Sequence, residues 1–292
     1  MHLSRVRATP KIMQTHQKFS VQKAGSALIP CWALIACLLI SFPAMAQTQP
    51  TAKTYEPQSG QAGKDVVWVP TSQALVDKIL DIAKVTPQDY LIDLGSGDGR
   101  TVITAARRGL KAHGIEYEPE MVDLARRKAA EAGVADRATF AKADLFESDF
   151  SNAQVITMFL LSTINEKLRP KLLDLKPGTR IVSNTFKMGD WEPDQTATVG
   201  EGCTNWCTAL LWIVPAKVEG SWQLDSQELK LTQKLQMLTG TLGSAAISDA
   251  RLNGSTISFS VNGRRYTGTV DGKTMKGSVT GGSAGNWSAS RS

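Results

Sequence analysis

Histidine and cysteine are scarce in this 292-residue chain, and beyond residue 46 only His113, Cys203 and Cys207 remain. Two thiols and one remote imidazole cannot close a tetrahedral zinc site. A Ser-His-Asp triad is disfavoured as well, because His113 stands inside the apolar-looking run Lys111 to Glu116. Cys203 and Cys207 have C-x-x-x-C spacing, not the redox C-x-x-C, and in an oxidising compartment they suit a small disulfide staple. Acidic residues are absent from residues 1–46, and charge of either sign is absent from Ala24 to Ala46. Residues 218–292 hold no proline and no cysteine.

The acid-free start reads as an export signal. Arg5, Arg7, Lys11, Lys18 and Lys23 precede an uncharged run that ends Ala44-Met45-Ala46, a small-x-small cleavage site. The 23 uncharged residues are long enough for an uncleaved membrane anchor, whereas Pro30, Pro43 and the A-x-A favour cleavage. Leu34-Ile35-Ala36-Cys37 looks like a lipoprotein box, but Leu38-Leu39-Ile40 continue the apolar core. Either way the remainder is expected outside the cytoplasm, periplasmic or secreted, unless translation starts at Met45. The full chain is +6, and residues 1–46 hold five of its basic residues and no acid. The mature protein is therefore nearly neutral, and its basic pI does not argue for a nucleic-acid partner.

What is present centres on Tyr90-Leu91-Ile92-Asp93-Leu94-Gly95-Ser96-Gly97-Asp98-Gly99-Arg100, a buried strand, a glycine-rich turn and the start of a helix. Glycines let the backbone turn sharply and a ligand approach closely. Arg100 stands where a dinucleotide fingerprint needs its third glycine. Asp93, at the strand end, would repel a pyrophosphate but suits an ammonium and a sulfonium. Glu116 ends the second strand, where an acid accepts from ribose hydroxyls. Asp144 follows the third strand, placed for an adenine amino group, with Leu145 against the ring. Asp93, Gly95, Ser96, Gly97, Glu116, Asp144 and Leu145 are thus the expected contacts of S-adenosyl-L-methionine.

The stretch from about Val66 to Pro215 resembles class I S-adenosylmethionine-dependent methyltransferases. It is most similar to a bacterial group with Val69-Pro70-Thr71 before a helix, the loop above, Gly114-Ile115-Glu116, Asp144-Leu145-Phe146, Leu168 to Leu173 and Lys176 to Arg180. The front half also resembles mitochondrial protein-lysine methyltransferases acting on the adenine nucleotide translocase and the ATP synthase c subunit. The resemblance implies methyl transfer to an acceptor, foremost a protein lysine side chain, with a small molecule as the other acceptor class.

Four segments are expected: a signal peptide at 1–46, a linker at 47–64, a methyltransferase domain at 65–217 and a small β-domain at 218–292. Apolar strands alternating with helices predict an α/β, Rossmann-like, doubly wound and mostly parallel sheet. Strands are expected at 155–161, 179–186 and 208–214, with helices after Thr71 or Ser72, over 119–132 and over 165–175. Beyond Lys217, alternating Leu229, Leu231, Leu235, Met237, Ile257, Phe259 and Val261, with Asn253-Gly254, Asn262-Gly263 and Asp271-Gly272 nine residues apart, predict antiparallel hairpins in a sheet or barrel.

Methyl transfer asks mainly for proximity and alignment, at the crevice beyond the carboxyl ends of the strands. Phe159, Asn165, Asp190 and Trp191 are the expected acceptor contacts, and no general base is assigned. The missing N-P-P-Y after strand four disfavours amino methylation of bases. A second hypothesis is an exported, non-catalytic binding protein that keeps the Rossmann-like fold. It answers the conflict between an export signal and a cofactor made in the cytoplasm, whereas the intact acid set favours the enzyme.

Overall fold

The structure is a computed structural model that describes residues 55–291. The signal over residues 1–46, its cleavage site, the alternative start at Met45 and linker residues 47–54 lie outside the described residues. Residues 55–64 of the expected linker are described together with the start of the domain. Trp68 donates its backbone N–H to the Gln61 carbonyl at 2.9 Å, and the Gly60 N–H donates to the Trp68 carbonyl at 2.8 Å. This hairpin-like strap sets the Trp68 ring against Gly97, a contact that composition alone does not reveal.

Ser72 accepts the Leu75 N–H and starts α1 (Gln73–Ile82), whose Leu75, Val76, Ile79 and Leu80 fall at helical spacing and are buried. The chain then runs β1 (Tyr90–Leu94), α2 (Arg100–Arg107), β2 (Lys111–Glu116), α3 (Pro119–Glu131), β3 (Ala138–Lys142), β4 (Val155–Met158), α4 (Ser162–Leu173), β5 (Arg180–Asn184), β6 (Gln195–Thr198) and β7 (Thr208–Ile213). The sheet order is β3-β2-β1-β4-β5-β7-β6. The first five strands are parallel, and β7 and β6 add antiparallel. Strands such as β1 and β4 are almost entirely buried because helices cover both faces, and Asp93 and Thr157 are their polar interior residues. On one face α1, α2 and α3 bury Leu80, Val102, Ala105 and Val122. On the other α4 buries Leu168 and Leu172 with Trp191 and Trp212.

Several elements differ from the sequence reading, including the strand expected at 179–186, which spans Arg180–Asn184. The fourth strand stops at Met158, so Phe159 to Leu161 leave the sheet at its edge. The helix after it starts at Ser162 and runs through Pro170 instead of beginning at Asn165. The polar edge strand β6 was not expected, since it has no apolar alternation and exists only by pairing with β7.

The C-terminal segment forms β8 (Gly220–Leu224), β9 (Gln227–Lys234), β10 (Met237–Leu242), β11 (Ala245–Ala246), β12 (Ser248–Asn253), β13 (Thr256–Val261), β14 (Arg264–Asp271), β15 (Thr274–Thr280) and β16 (Gly285–Ser290). Neighbours pair antiparallel, and β16 returns to β8, so eight strands close a barrel with β11 as a side hairpin. Closure leaves no long edge exposed. Trp222, Leu252, Phe259, Tyr266, Met275 and Trp287 fill the interior, as expected for eight strands.

The described residues belong to one compact unit. Arg251 of the barrel pairs at 2.7 Å with Asp194, whose side chain is almost fully buried. Gln236 donates to the Glu192 carbonyl at 2.8 Å, and the Ala216 N–H donates to the Gly254 carbonyl at 2.9 Å. The barrel therefore anchors the loop that follows β5.

Candidate functional site

The first half of the sheet edge carries acids. Asp93 ends β1, is only 6% exposed, and accepts the Thr157 hydroxyl at 2.6 Å. Burial pushes its carboxyl up, the Thr157 hydrogen bond opposes this, and the Glu116 and Asp98 charges add to the rise, to about 7. Among the described residues no lysine or arginine pairs with it. A buried carboxylate with only a hydroxyl for company calls for a cation. Glu116, at the end of β2, accepts the Gly97 N–H at 2.8 Å through Oε2, and the Tyr117 and Glu118 N–H groups through Oε1. These bonds fix the carboxylate against the glycine loop.

The loop itself is locked by residues the motif reading passed over. Burial would raise the Asp98 carboxyl, but hydrogen bonds from Arg100 and Lys128 hold it below its ordinary value. Arg100 also donates to the Thr71 carbonyl at 2.7 Å. The residue that replaces the third glycine thus ties the loop to the entry of α1. Gly97 has φ +52°, and a Cβ there would lie 2.5 Å from the Trp68 indole nitrogen. Gly99 has φ +81° and would strike Phe140 and Ala125, so α2 and α3 pack closely only with glycine. Asp144 is paired with Lys64 of the strap, which lies 4.6 Å over the Tyr117 ring. The Lys64 hydrogen bond holds the Asp144 carboxyl below its ordinary value.

All seven expected cofactor contacts line one cavity of about 220 Å³, and so does Phe159. The lining holds six carboxylates (Asp65, Asp93, Asp98, Glu116, Glu118 and Asp144) against two cations, Lys64 and Arg100, both already ion-paired. Ile115, Met121 and Leu145 supply an apolar wall beside Glu116. The Ser96 hydroxyl is buried without a partner. An unpaired buried acid, an orphan hydroxyl, a glycine-rich loop and an apolar slot together fit the cationic end, ribose and adenine of S-adenosylmethionine.

The second half of the edge carries aromatics. Phe159 leaves β4, Phe186 follows β5, and Trp206 precedes antiparallel β7, which starts at the same edge. Phe159 stacks on Phe186 at 5.9 Å and meets Trp206 at 6.0 Å, tilted by 60°. All three line the cavity. Trp206 sits inside the loop closed by the Cys203–Cys207 disulfide. Neither Phe186 nor Trp206 was singled out from sequence; the available signal was that an antiparallel last strand returns its entry loop to the ligand edge.

The other three acceptor residues expected from sequence are not in the cavity lining. Trp191 is 0% exposed, its ring tilted by 55° at 6.2 Å from that of Trp212, and its carbonyl accepts the Trp212 ring N–H at 2.7 Å. The sequence alone puts it in a polar turn, but it packs in the core with Leu168 of α4 and Trp212 of β7. Asn165 is also fully buried and donates to the Phe186 carbonyl at 3.1 Å, fixing the turn behind the aromatic rim. Asp190 faces outward between Arg169 and Lys234.

Residues 93–195 match the model of a family described as the ANTKMT methyltransferase domain. A protein-lysine N-methyltransferase of Saccharolobus islandicus is 43% identical over 152 residues, 51% of this chain and 94% of that protein. The mouse adenine nucleotide translocase lysine N-methyltransferase is 35% identical over 139 residues, 47% of this chain and 59% of its own length. Among solved structures, a Salinibacter ruber RNA methyltransferase in complex with S-adenosyl-L-homocysteine aligns at TM-score 0.49 and 49% identity, covering 51% of this chain and 96% of that one.

Proposed function

We propose, from the premise that this chain belongs to the ANTKMT methyltransferase family, that its methyl acceptor is the side-chain nitrogen of a protein lysine. The chain is an S-adenosylmethionine-dependent methyltransferase. When bound, the cofactor supplies an activated methyl group that a nucleophile displaces in line. Asp93 would balance the cationic end, Glu116 would accept from the ribose, and Asp144 with Leu145 would hold the adenine. Gly95, Ser96 and Gly97 let the backbone approach. Lys64 lines the cleft beside Asp144, and Trp68 lines it beside Gly97.

The observation that carries the lysine reading is the split edge: acids after β1 to β3 and an aromatic rim at β4, β5 and β7. A lysine must lose a proton to become a nucleophile, and an apolar rim takes up its aliphatic stem on the way to the methyl group. Phe159, Leu160, Phe186 and Trp206 form such a rim. Alignment by this rim acts on the transition state, where it raises turnover. The 43% identical relative named for protein lysine supports the same reading.

The protein is taken to work outside the cytoplasm. The acid-free start, the uncharged run to Ala46 and the Cys203–Cys207 disulfide all suit export to an oxidising compartment. An envelope protein is then the first acceptor to test. Purified protein, a bacterial envelope extract and methyl-labelled cofactor should yield labelled methyl-lysine after protein hydrolysis, and Glu116→Ala should abolish most of it. Label confined to RNA or to small molecules would reject the lysine reading.

A further inference from the structure

The disulfide loop lies beyond residue 195, where the family match ends, yet it reaches the cavity. Trp206 holds φ +55°, a conformation that a bulky residue adopts only when its surroundings impose it. Trp206 stands within the loop closed covalently between Cys203 and Cys207, four residues apart. Its indole is 43% exposed, at odds with the burial of Trp191, Trp212, Trp222 and Trp287. Its ring and that of Phe159 meet at 60°, and Phe186 extends the wall. Two tilted aromatic faces in a cavity whose cations are already paired make a place for a soft cation.

We propose that Trp206, Phe159 and Phe186 form a binding site for an alkylated ammonium group, completed by the Cys203–Cys207 loop. The inference rests on the reading of this cleft as an amine-methylating site and names what its acceptor end recognises. Methyl groups spread an ammonium's charge and weaken its hydration, so ring faces take it up at lower desolvation cost than a bare ammonium. A lysine nitrogen that already carries a methyl is such a group. Attraction to a ring face falls in the order Trp, then Tyr and Phe, which makes Trp206 the principal wall.

The test uses choline as the cationic probe and 3,3-dimethylbutan-1-ol as its neutral isostere, each titrated calorimetrically into the full protein with S-adenosylhomocysteine present. Choline should bind and the isostere should bind at least about fivefold more weakly. Trp206→Ala should lower choline affinity roughly five- to thirtyfold, Trp206→Phe should retain most of it, and cofactor affinity should stay unchanged in both. Equal binding of choline and isostere, or full choline affinity in Trp206→Ala, would overturn the proposal. Failure to find a labelled protein lysine would leave these titrations untouched, so the two readings fail separately.

Discussion

Asp93→Asn tests the electrostatics of the cleft most directly, because its effect on the free protein and on ligand binding should have opposite signs. Asp93 is fully enclosed and its carboxyl is raised to about 7. An unfolded chain would titrate it near 3.8. The folded state therefore binds the proton more tightly than the unfolded state between these values. Stability from this group is greatest at low pH and is lost as pH rises towards 7, after which the loss is constant. The full displacement corresponds to about 4 kcal/mol at pH 8, where the charge is buried, and to less than about 2 kcal/mol at pH 5. Asparagine carries no charge and still offers an oxygen to the Thr157 hydroxyl. The variant should thus unfold about 4 kcal/mol later than wild type at pH 8, a rise of roughly 8–16 °C in Tm for a domain of this size. The gain should shrink by more than half at pH 5. The same substitution should weaken S-adenosylmethionine by more than about tenfold, as expected for a lost charge-assisted contact. Wild-type cofactor affinity should itself fall as pH drops below 7, and that dependence should vanish in the variant. Thermal melts and calorimetry at both pH values read these quantities. An Asp93→Asn protein no more stable than wild type at pH 8, or equally stabilised at both pH values, would refute the account of a charge held for a cationic ligand.

Three further outcomes follow from the packing. Trp191→Ala removes a fully buried ring and should cost about 3–5 kcal/mol in urea unfolding, while the folded fraction keeps its cofactor affinity; a selective loss of turnover at unchanged stability would return Trp191 to the acceptor site. Arg251→Ala leaves the Asp194 carboxylate buried and reliant on the Ile213 N–H, so stability should fall by about 1–3 kcal/mol; no change would mean that the barrel does not anchor the loop after β5. Cys203→Ser with Cys207→Ser frees the backbone around Trp206 and should raise the acceptor KM severalfold while cofactor affinity stays at the wild-type value, measured on the labelled acceptor once one is identified; a parallel loss of cofactor binding would show that the loop serves the whole cleft.

Much of this protein is decided by local patterns in its sequence. Asp93, Glu116 and Asp144 each close an apolar run, and a strand end is the place where a parallel sheet opens to a ligand, so period and position together put all three on one edge. Asparagine-glycine and aspartate-glycine pairs force tight hairpins wherever they occur between alternating runs, and the barrel strands follow from them. Tertiary structure decided which aromatics face the acceptor. Trp191 and Trp206 both sit in polar loops, and nothing within a few residues of either distinguishes them. Trp191 is enclosed because β7 brings Trp212 beside it and the barrel pins its loop through Arg251 and Gln236. Trp206 is exposed because antiparallel β7 begins at the ligand edge and a disulfide holds its loop there. Strap residues Lys64 and Trp68 likewise gain their roles only across the fold, from Asp144 and Gly97. Burial of a side chain is a property of what packs against it, and those partners lie up to 80 residues away in the chain.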